Sequence, residues 1–566
     1  MTDRRNVPDP IALEVLHNAL LSITEEVYVA LMKSAYSTNI KERHDHSVML
    51  TDPAGRLVAQ PAQSLPVHLS SGLGLIESLL KKYPLASIEE GDLFIGNDPY
   101  AAGGTHLPDI NMAMPVFLEG RLVAWITNIA HHADIGGMAP GGLASVMTEI
   151  YQEGLRIPPI RLFRRGELQA DIMDLLLLNV RLPEERRGDY VAQISACRLG
   201  ERRLKELAQT TPAETLFAAF EEIIERTARR MREGFRRLKP GVYEIADVLD
   251  GDAQGHLDLP LKLRIEVGDG TVKLDFRGSA AQVSGNINMT INALQSAVCY
   301  TLKALLDEDV PNNQGVLDSI ELVCDEGSLL NCSFPAAVAQ RTAACQRIAD
   351  MIVGALKDAV PDLVCGASNG SNSAAIFSGT DPRTGQPYLY LETLGGGFGG
   401  RAGKDGKDGV QVHITNTSNL PIEAIEQEYP LLVDSYELVV DSAGPGRHRG
   451  GAGLRRVIRP VGHETSFTGF MERVRHQPWG IFGGGPGASG RLLLRGPGAA
   501  ETELPGKPFD VRLGPEQSVV IETPGAGGYG DPAGRDPELI RREAQGGLFT
   551  AGYLARHYGV RSDAAE

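Results

Sequence analysis

Two apolar runs with almost nothing between them constrain this chain most. Ile110–Leu118 and Arg121–Ala130 are separated only by Glu119-Gly120. Glycine tolerates positive φ, so a two-residue turn fits there and the runs predict a buried β-hairpin. Pairing Leu118 with Arg121 sets Pro108 opposite His131, with His106 diagonally on the same face. The open end of the hairpin then gathers the segments Gly103–Asp109 and Asn128–Asp134.

The chain has 13 histidines in 566 residues, so three of them (His106, His131 and His132) at one strand end is a concentration. Neutral imidazole beside carboxylate is the usual protein ligand set for a catalytic divalent metal. Strict alternation turns Asp109 toward the face of His132, but Pro108 interrupts pairing there and makes parity a weak guide. Register alone leaves His131 and His132 both open. The plainer alternative is two histidines capping a strand end, since the spacing is no fixed signature of the HExxH kind.

Composition narrows the class. Fifty-five Lys and Arg against 72 Asp and Glu give a formal charge of −17, which argues against a nucleic-acid or anionic-membrane footprint. No apolar run reaches the roughly 18 residues of a membrane span; the richest, 172–179, is short and contains Asp174. The first residues lack the apolar core of a signal peptide. Six cysteines (197, 299, 324, 332, 345 and 365) form no CxxC pair. The expectation is a cytoplasmic protein with reduced thiols.

Periodicity and turn residues predict an α+β chain of several subdomains. Asp9-Pro10 opens a helix over 9–40, with Ile11, Val15, Leu16 and Leu20 at helical spacing. Residues 47–60 read as a hairpin turning through Asp52–Gly55, and 73–82 as a helix. Residues 190–238 read as helical and heavily charged, with a packing face of Leu207, Leu216, Phe217, Phe220 and Ile224. Strands return at 243–247, 261–267 and 272–276, and helices at 289–306 and 341–360. From 385 onward glycine and proline multiply between short strands, and a helix at 537–545 ends the chain. The divisions are an N-terminal metal-site region (1–190), a charged helical segment (191–240), an α/β middle (241–384) and a Gly-rich, mainly β region (385–566).

Gly395–Gly400 has the GxGxxG spacing, yet the Gly- and Lys-rich run 401–409 cannot open a helix, which argues against a Rossmann turn. Lys404 is no P-loop lysine: Phe398 stands where glycine is required and Asp405 where Ser or Thr is required. No nucleotide site is therefore predicted. The glycine cluster is read as a flexible or tightly turned loop near the active site, or as a plain array of turns.

Several segments together carry a family resemblance. Gly96–Tyr100, Thr105–Ile110, Ala130–Gly137, Thr148–Pro158, Glu42–Ser47, Gly285–Asn288, Gly395–Gly400, Lys404–Gly406, Asp408–Thr417 and Thr523–Asp531 closely resemble the hydantoinase B/5-oxoprolinase family. That family includes the B subunits of ATP-dependent hydantoinases and lactamases and a subunit of acetone and acetophenone carboxylases. The resemblance implies a metal held by His106, Asp109 and His131, with Asp45 as a further carboxylate. Such a set suits Zn, Mn or Fe. His44 and His46 flank Asp45 in a departure from the family pattern, as extra ligands, outer donors or surface variation. His132 and Asp134 become acid/base or outer-partner candidates, and Glu149 and Glu153, around Tyr151, become candidates to touch substrate or ion.

The resemblance also implies a partner. ATP with Mg is expected on a separate A-type subunit of actin-like fold, which phosphorylates an amide or enol oxygen. The metal on this chain is then expected to activate water for ring opening of a small cyclic amide: hydantoin, N-methylhydantoin, 5-oxoproline or a related lactam. The alternatives are a subunit of an ATP-dependent ketone carboxylase, whose chains are typically much longer, and a non-catalytic scaffold for the ATPase partner.

Overall fold

The computed structural model describes residues 8–560. Residues 1–7, where a signal core was sought, lie outside the described residues. The predicted hairpin forms the centre of a seven-stranded sheet. Its strands are β1 (His46–Thr51), β2 (Leu57–Ala59), β3 (Leu93–Gly96), β4 (Asp109–Leu118), β5 (Arg121–His131), β6 (Ile160–Arg164) and β7 (Glu167–Leu168). They run in the order β2-β1-β5-β4-β3-β6-β7. Leu75, Ile76 and Leu79 of the helix Ser71–Lys82 pack on one face against Phe94, Ala113 and Trp125. Helices Pro10–Ser34 and Pro183–Ala208 cover the other through Leu16, Leu20 and Leu204 against Val116 and Ile126. Covered on both faces, β4 and β5 read as continuous apolar runs.

The first helix departs from expectation in length and face. The Asp9 side chain accepts from the Ile11 and Ala12 N–H groups, and the helix stops at Ser34 because Ala35 is extended. Its buried stripe is Leu13, Leu16, Leu20, Ile23, Val27 and Leu31, whereas Ile11 and Val15 point outward. The charged stretch expected as one helical unit is two helices, Pro183–Ala208 and Ala213–Arg236, divided before Pro212.

A four-stranded sheet comes next: β8 (Gly241–Gly251), β9 (Leu257–Val267), β10 (Val272–Asp275) and β11 (Ile320–Val323), ordered β11-β10-β9-β8. The alternating residues Leu259, Leu261, Leu263 and Ile265 turn into a core shared with helices Ile291–Leu306 and Thr342–Ala355. Two further sheets close the chain. One joins β12 (Ser373–Thr380), β13 (Pro387–Leu394), β16 (Thr465–Phe470) and β19 (Val511–Leu513). The other joins β14 (Leu431–Leu438), β15 (Leu454–Pro460), β17 (Arg491–Arg495), β18 (Glu501–Leu504) and β20 (Ser518–Glu522). Phe377, Tyr390 and Phe467 of the first meet Ile458 and Ile521 of the second.

The fold is α+β. The divisions drawn at 190 and 384 fall inside the helix Pro183–Ala208 and in the turn between β12 and β13. The helix Pro537–Gln545 forms, and a further helix, Ala551–Tyr558, succeeds it. Among the described residues no helix is long and apolar enough to cross a membrane.

Gly395–Gly400 is a packing device, which corrects its reading as an active-site loop. It runs beside Gly450–Gly453 and Gly525–Gly528, with Gly451 N–H donating to Phe398 O at 2.8 Å and Ala526 N–H to Gly451 O at 3.0 Å. A Cβ at Gly399 would stand 1.8 Å from the Gly366 carbonyl oxygen, and one at Gly451 1.8 Å from that of Lys407. Only glycine lets these backbones touch.

Candidate metal centre

The hairpin starts in the predicted register, Leu118 opposite Arg121 and Phe117 opposite Leu122. A bulge then intervenes. Val116 pairs with Ala124, Val123 is passed over, and Asp109 rather than Pro108 comes opposite His131. A one-residue shift exchanges the faces of a strand, so this bulge turns Asp109 to the side of His131. β1 extends the row: His46 lies opposite Ala130, and the Asp45 carbonyl, one residue earlier, accepts the His131 N–H at 3.0 Å. Asp45, His131 and Asp109 thus stand side by side at the ends of three adjoining strands.

His106 joins them from the turn before β4. The Asn97 amide pins that turn by donating to the Leu107 carbonyl at 2.8 Å, and His106 Nε2 lies 3.0 Å from Asp109 Oδ1. The His106 and His131 rings are 5.1 Å apart. Two residues that sequence reasoning did not single out complete the cluster. His68 ends the 3₁₀ turn Pro66–His68; its Nδ1 is 2.9 Å from Ser47 Oγ and its Nε2 3.5 Å from Asp109 Oδ2. Arg341, at the start of the helix Thr342–Ala355, donates from Nη2 to Asp109 Oδ2 at 2.9 Å. Neither sits in a segment with a chemical pattern; only the tertiary fold brings them in.

These groups surround a cavity of about 50 Å³, with Asp45 in its wall and Leu65, Val67, Leu143, Ile414 and Phe470 supplying apolar surface. His106 Nδ1 lies 3.2 Å from the Ala339 carbonyl, which can only accept, so the proton is on Nδ1 and Nε2 offers a lone pair. Burial pushes the His106 imidazole down to about 4 and that of His131 to about 3, so both are neutral near pH 7. Burial also pushes the Asp109 carboxyl upward, but His106, His68 and Arg341 outweigh it and hold that group well below the usual carboxylate range.

His106 Nε2 and Asp109 Oδ1 are both buried acceptors, and among the described residues neither has a hydrogen-bond partner. Two facing acceptors in a buried site repel unless a cation or a donor lies between them. His106, Asp109 and His131 each offer one ligand atom within 4.8 Å of the others. The donor set fits a divalent cation. Around it, Asn39 Nδ2 lies 3.3 Å from His131 Nδ1, while Asn39 Oδ1 accepts from Arg43 Nη1 at 2.9 Å. Asp45 lines the cavity but stands outside the three-residue cluster; burial raises its carboxyl, and Arg43, 3.8 Å away, works against that.

The four residues expected to act as acids, bases or substrate contacts do not line the cavity. His132, one residue beyond His131, leaves by the opposite face, its Nε2 2.9 Å from Gln193 Oε1 and its ring against Tyr190. Asp134 is paired with Arg181 at 2.8 Å. Glu149 is exposed and caps the short helix Ile150–Glu153. Glu153 is fully buried, and burial pushes its carboxyl up to about 8. Its Oε1 accepts the Val338 and Ala339 N–H groups, both at 2.7 Å, and so clamps the segment whose carbonyl orients His106. His46 stacks on Tyr28 in the core, and His44 holds a left-handed turn at φ 59° before β1.

Comparison with known proteins gives the family and the fold. Residues 9–532 match the family described as hydantoinase B/oxoprolinase. A protein of Pseudomonas sp. strain NS671, provisionally named as the B component of a D-/L-hydantoinase, is 32% identical over 574 residues, which cover 99% of this chain and 96% of that one. The crystal structure of the ATP-dependent caprolactamase from Pseudomonas jessenii superposes with a TM-score of 0.93 at 29% identity, covering 99% of this chain and 97% of that one. A nucleotide-free acetone carboxylase shares the fold, with a TM-score of 0.91 at 18% identity over 98% of this chain and 80% of that one.

Proposed function

The chain belongs to the hydantoinase B/oxoprolinase family, and from that premise we propose that it is the metal-dependent subunit of an ATP-dependent cyclic-amide hydrolase. Its substrate class is a hydantoin, 5-oxoproline or lactam ring activated by an A-type partner that binds ATP and Mg. The observation that carries the reading is the unpaired His106 Nε2 facing the unpaired Asp109 Oδ1 within a buried His, His, Asp cluster.

His106, Asp109 and His131 would hold the ion, with Asp45 in the adjoining wall. A divalent cation bound there supplies Lewis acidity to an oxygen of water or substrate. The chain's own residues prepare the place. The Ala339 carbonyl fixes the His106 tautomer, Arg341 holds Asp109 Oδ2, and Asn39 with Arg43 braces His131. Leu65, Val67, Ile414 and Phe470 give the cavity an apolar wall suited to the carbon side of a small ring. The Asn372 side chain reaches the cavity with its carbonyl oxygen unpaired, an acceptor suited to an amide N–H. In the reaction, transfer of a phosphoryl group to the amide oxygen activates the ring carbon. Water adds there, the ring C–N bond breaks with the nitrogen taking a proton to leave an acyl phosphate, and a second water releases phosphate and the carboxylate.

The test is ATP-dependent ring opening by the chain co-expressed with its A-type partner. Stoichiometric ADP and ring-opened product from at least one cyclic amide supports the reading. ATP consumption only with a ketone and bicarbonate would move the chain to the carboxylase branch.

A further inference from the structure

The segment Asp408–Thr417 carries side chains that the metal centre leaves unused. Ile414 lines the metal cavity, Thr415 lines that cavity and a second one, and Gln411, His413 and Asn416 line the second alone. The chain around the turn Pro66–His68 divides in the same way. Leu65, Val67 and His68 line the first cavity, and Ser64, Pro66 and Leu69 the second. Val67 N–H donates to the Ile414 carbonyl at 3.2 Å and joins the two segments into one partition. The second cavity measures about 360 Å³, the size of a small-molecule site, and Leu69, Val316 and Phe398 give it apolar surface.

Its polar groups are donors short of an acceptor. Gln60, only 3% exposed, lines the cavity, and its buried Nε2 has no hydrogen-bond partner among the described residues. Tyr300, on the helix Ile291–Leu306, has a hydroxyl with no partner among them either. Burial pushes that phenol upward, so it keeps its proton. Lys303 follows one helical turn later on the same face. Its nearest counter-ion in sequence, Asp307, is bound by Arg230 at 2.8 Å, and Lys303 is in no ion pair among the described residues. Burial pushes the Lys303 ammonium down, although Asp307 and Asp309 pull it up. An amide N–H, a phenol and an ammonium left unmet in one cavity cost free energy that a negatively charged acceptor would offset.

The charge of that acceptor is limited. Lys303 is the one Lys or Arg in the wall, and the exposed Glu308 stands at its rim. One negative charge is matched there and a second would be repelled. We infer that this second cavity binds a small organic monocarboxylate, held by Lys303, Tyr300 and Gln60 and covered along its carbon chain by Leu69, Val316 and Phe398. The site is separate from the metal centre and does not depend on an ion being there. Opening of a cyclic amide releases one ligand of this class, an amino acid whose ammonium end suits Glu308. A plain carboxylic acid is the other source.

The experiment titrates the full chain, as purified, with pentanoate, pentanamide and 5-aminopentanoate by isothermal titration calorimetry. Pentanoate should bind at least about 10-fold more tightly than the uncharged amide, the scale of a charged hydrogen bond. Binding of 5-aminopentanoate as tight as that of pentanoate, or tighter, assigns the site to a ring-opened product; weaker binding assigns it to another acid. Lys303→Met should erase the preference for acid over amide. Gln60→Leu removes the unmet donor at nearly constant volume. It should weaken pentanoate by about 3- to 10-fold and leave the unliganded melting temperature level or raised, whereas loss of a merely structural glutamine would lower it. Pentanoate affinity should be unchanged in His106→Ala. Pentanoate no tighter than pentanamide overturns the inference, and this wild-type comparison decides even if Lys303→Met fails to fold. A folded Lys303→Met that keeps the preference, or pentanoate binding lost in a folded His106→Ala, overturns it as well. Each of these failures leaves the proposed function standing.

Discussion

Two buried charge clusters in this molecule solve the same problem in opposite ways. In the first, Asp247, Asp350 and Glu472 face Arg347, Arg473 and Lys507, with His413 beside Asp350. Every carboxylate oxygen there is met: Asp350 by Ser368, His413 and Arg473, and Asp247 by Arg347, Trp479 and Arg473. In the second, around the cavity, a carboxylate oxygen and an imidazole lone pair face each other with no donor between. The first cluster ties the middle region to the C-terminal sheets, and its carboxylates are met by the chain's own donors. The second is left short of a cation. A buried His–Asp pair alone therefore does not mark a site; an unmet acceptor beside it does.

The largest effect that sharpens this contrast is loss of a ligand. Asp109→Ala should abolish metal binding and reduce ATP-dependent turnover by more than about 100-fold, beyond the 10–100-fold usual for a partner of a ligand. Metal content and steady-state rates on one preparation check it, and full turnover without metal would break the contrast. In the first cluster, Asp350→Ala should cost about 3–5 kcal/mol of stability by leaving the buried Arg347, Arg473 and Lys507 one carboxylate short. Urea unfolding should show that loss while the folded fraction keeps its metal. Asn39→Ala, which removes the brace behind His131, should weaken metal binding by about 10-fold with the fold intact, as direct metal titration would show.

Acid should expose a smaller difference. His46 and His132 lie at about 3 and about 4 in the folded chain against 6.5 when free, because of burial. The unfolded chain thus takes up protons first, so their stability contribution is present above pH 6.5 and lost as pH falls toward 4. Melting of the metal-free chain should drop over that window. Metal affinity should instead stay level between about pH 8 and 6, since His106 and His131 carry no proton there to displace. A site of ordinary imidazoles would weaken steadily below pH 7. The smallest effect is expected at Glu149, whose replacement by Ala should cost about 0.5–1 kcal/mol as a lost helix cap and leave metal content unchanged.

The sequence showed the hairpin, because β4 and β5 are buried on both faces and their turn is two residues long. It did not show the bulge at Val123, a single-residue event driven by tertiary packing, and so it left Asp109 on the wrong face and His131 unresolved from His132. Helix spacing near Pro10 was legible, but which of several apolar stripes would be buried depended on its packing against β1, β2 and the distant helix Pro183–Ala208. His68 and Arg341 were invisible for the same reason: each becomes chemical only when the 3₁₀ turn and a distant helix converge on Asp109. Glu153 was noticed for its motif, yet its place beneath Val338 and Ala339 makes it a clamp on the site's frame.

The central claim is that the unmet acceptors of His106 and Asp109 mark a cation site. The most direct test is metal content by mass spectrometry on the wild-type chain and on His106→Ala combined with His131→Ala, both purified in metal-supplemented buffer. One equivalent of a divalent metal in the wild type, lost in the double variant, is the predicted result. Equal metal in both proteins, or none in either, would contradict it.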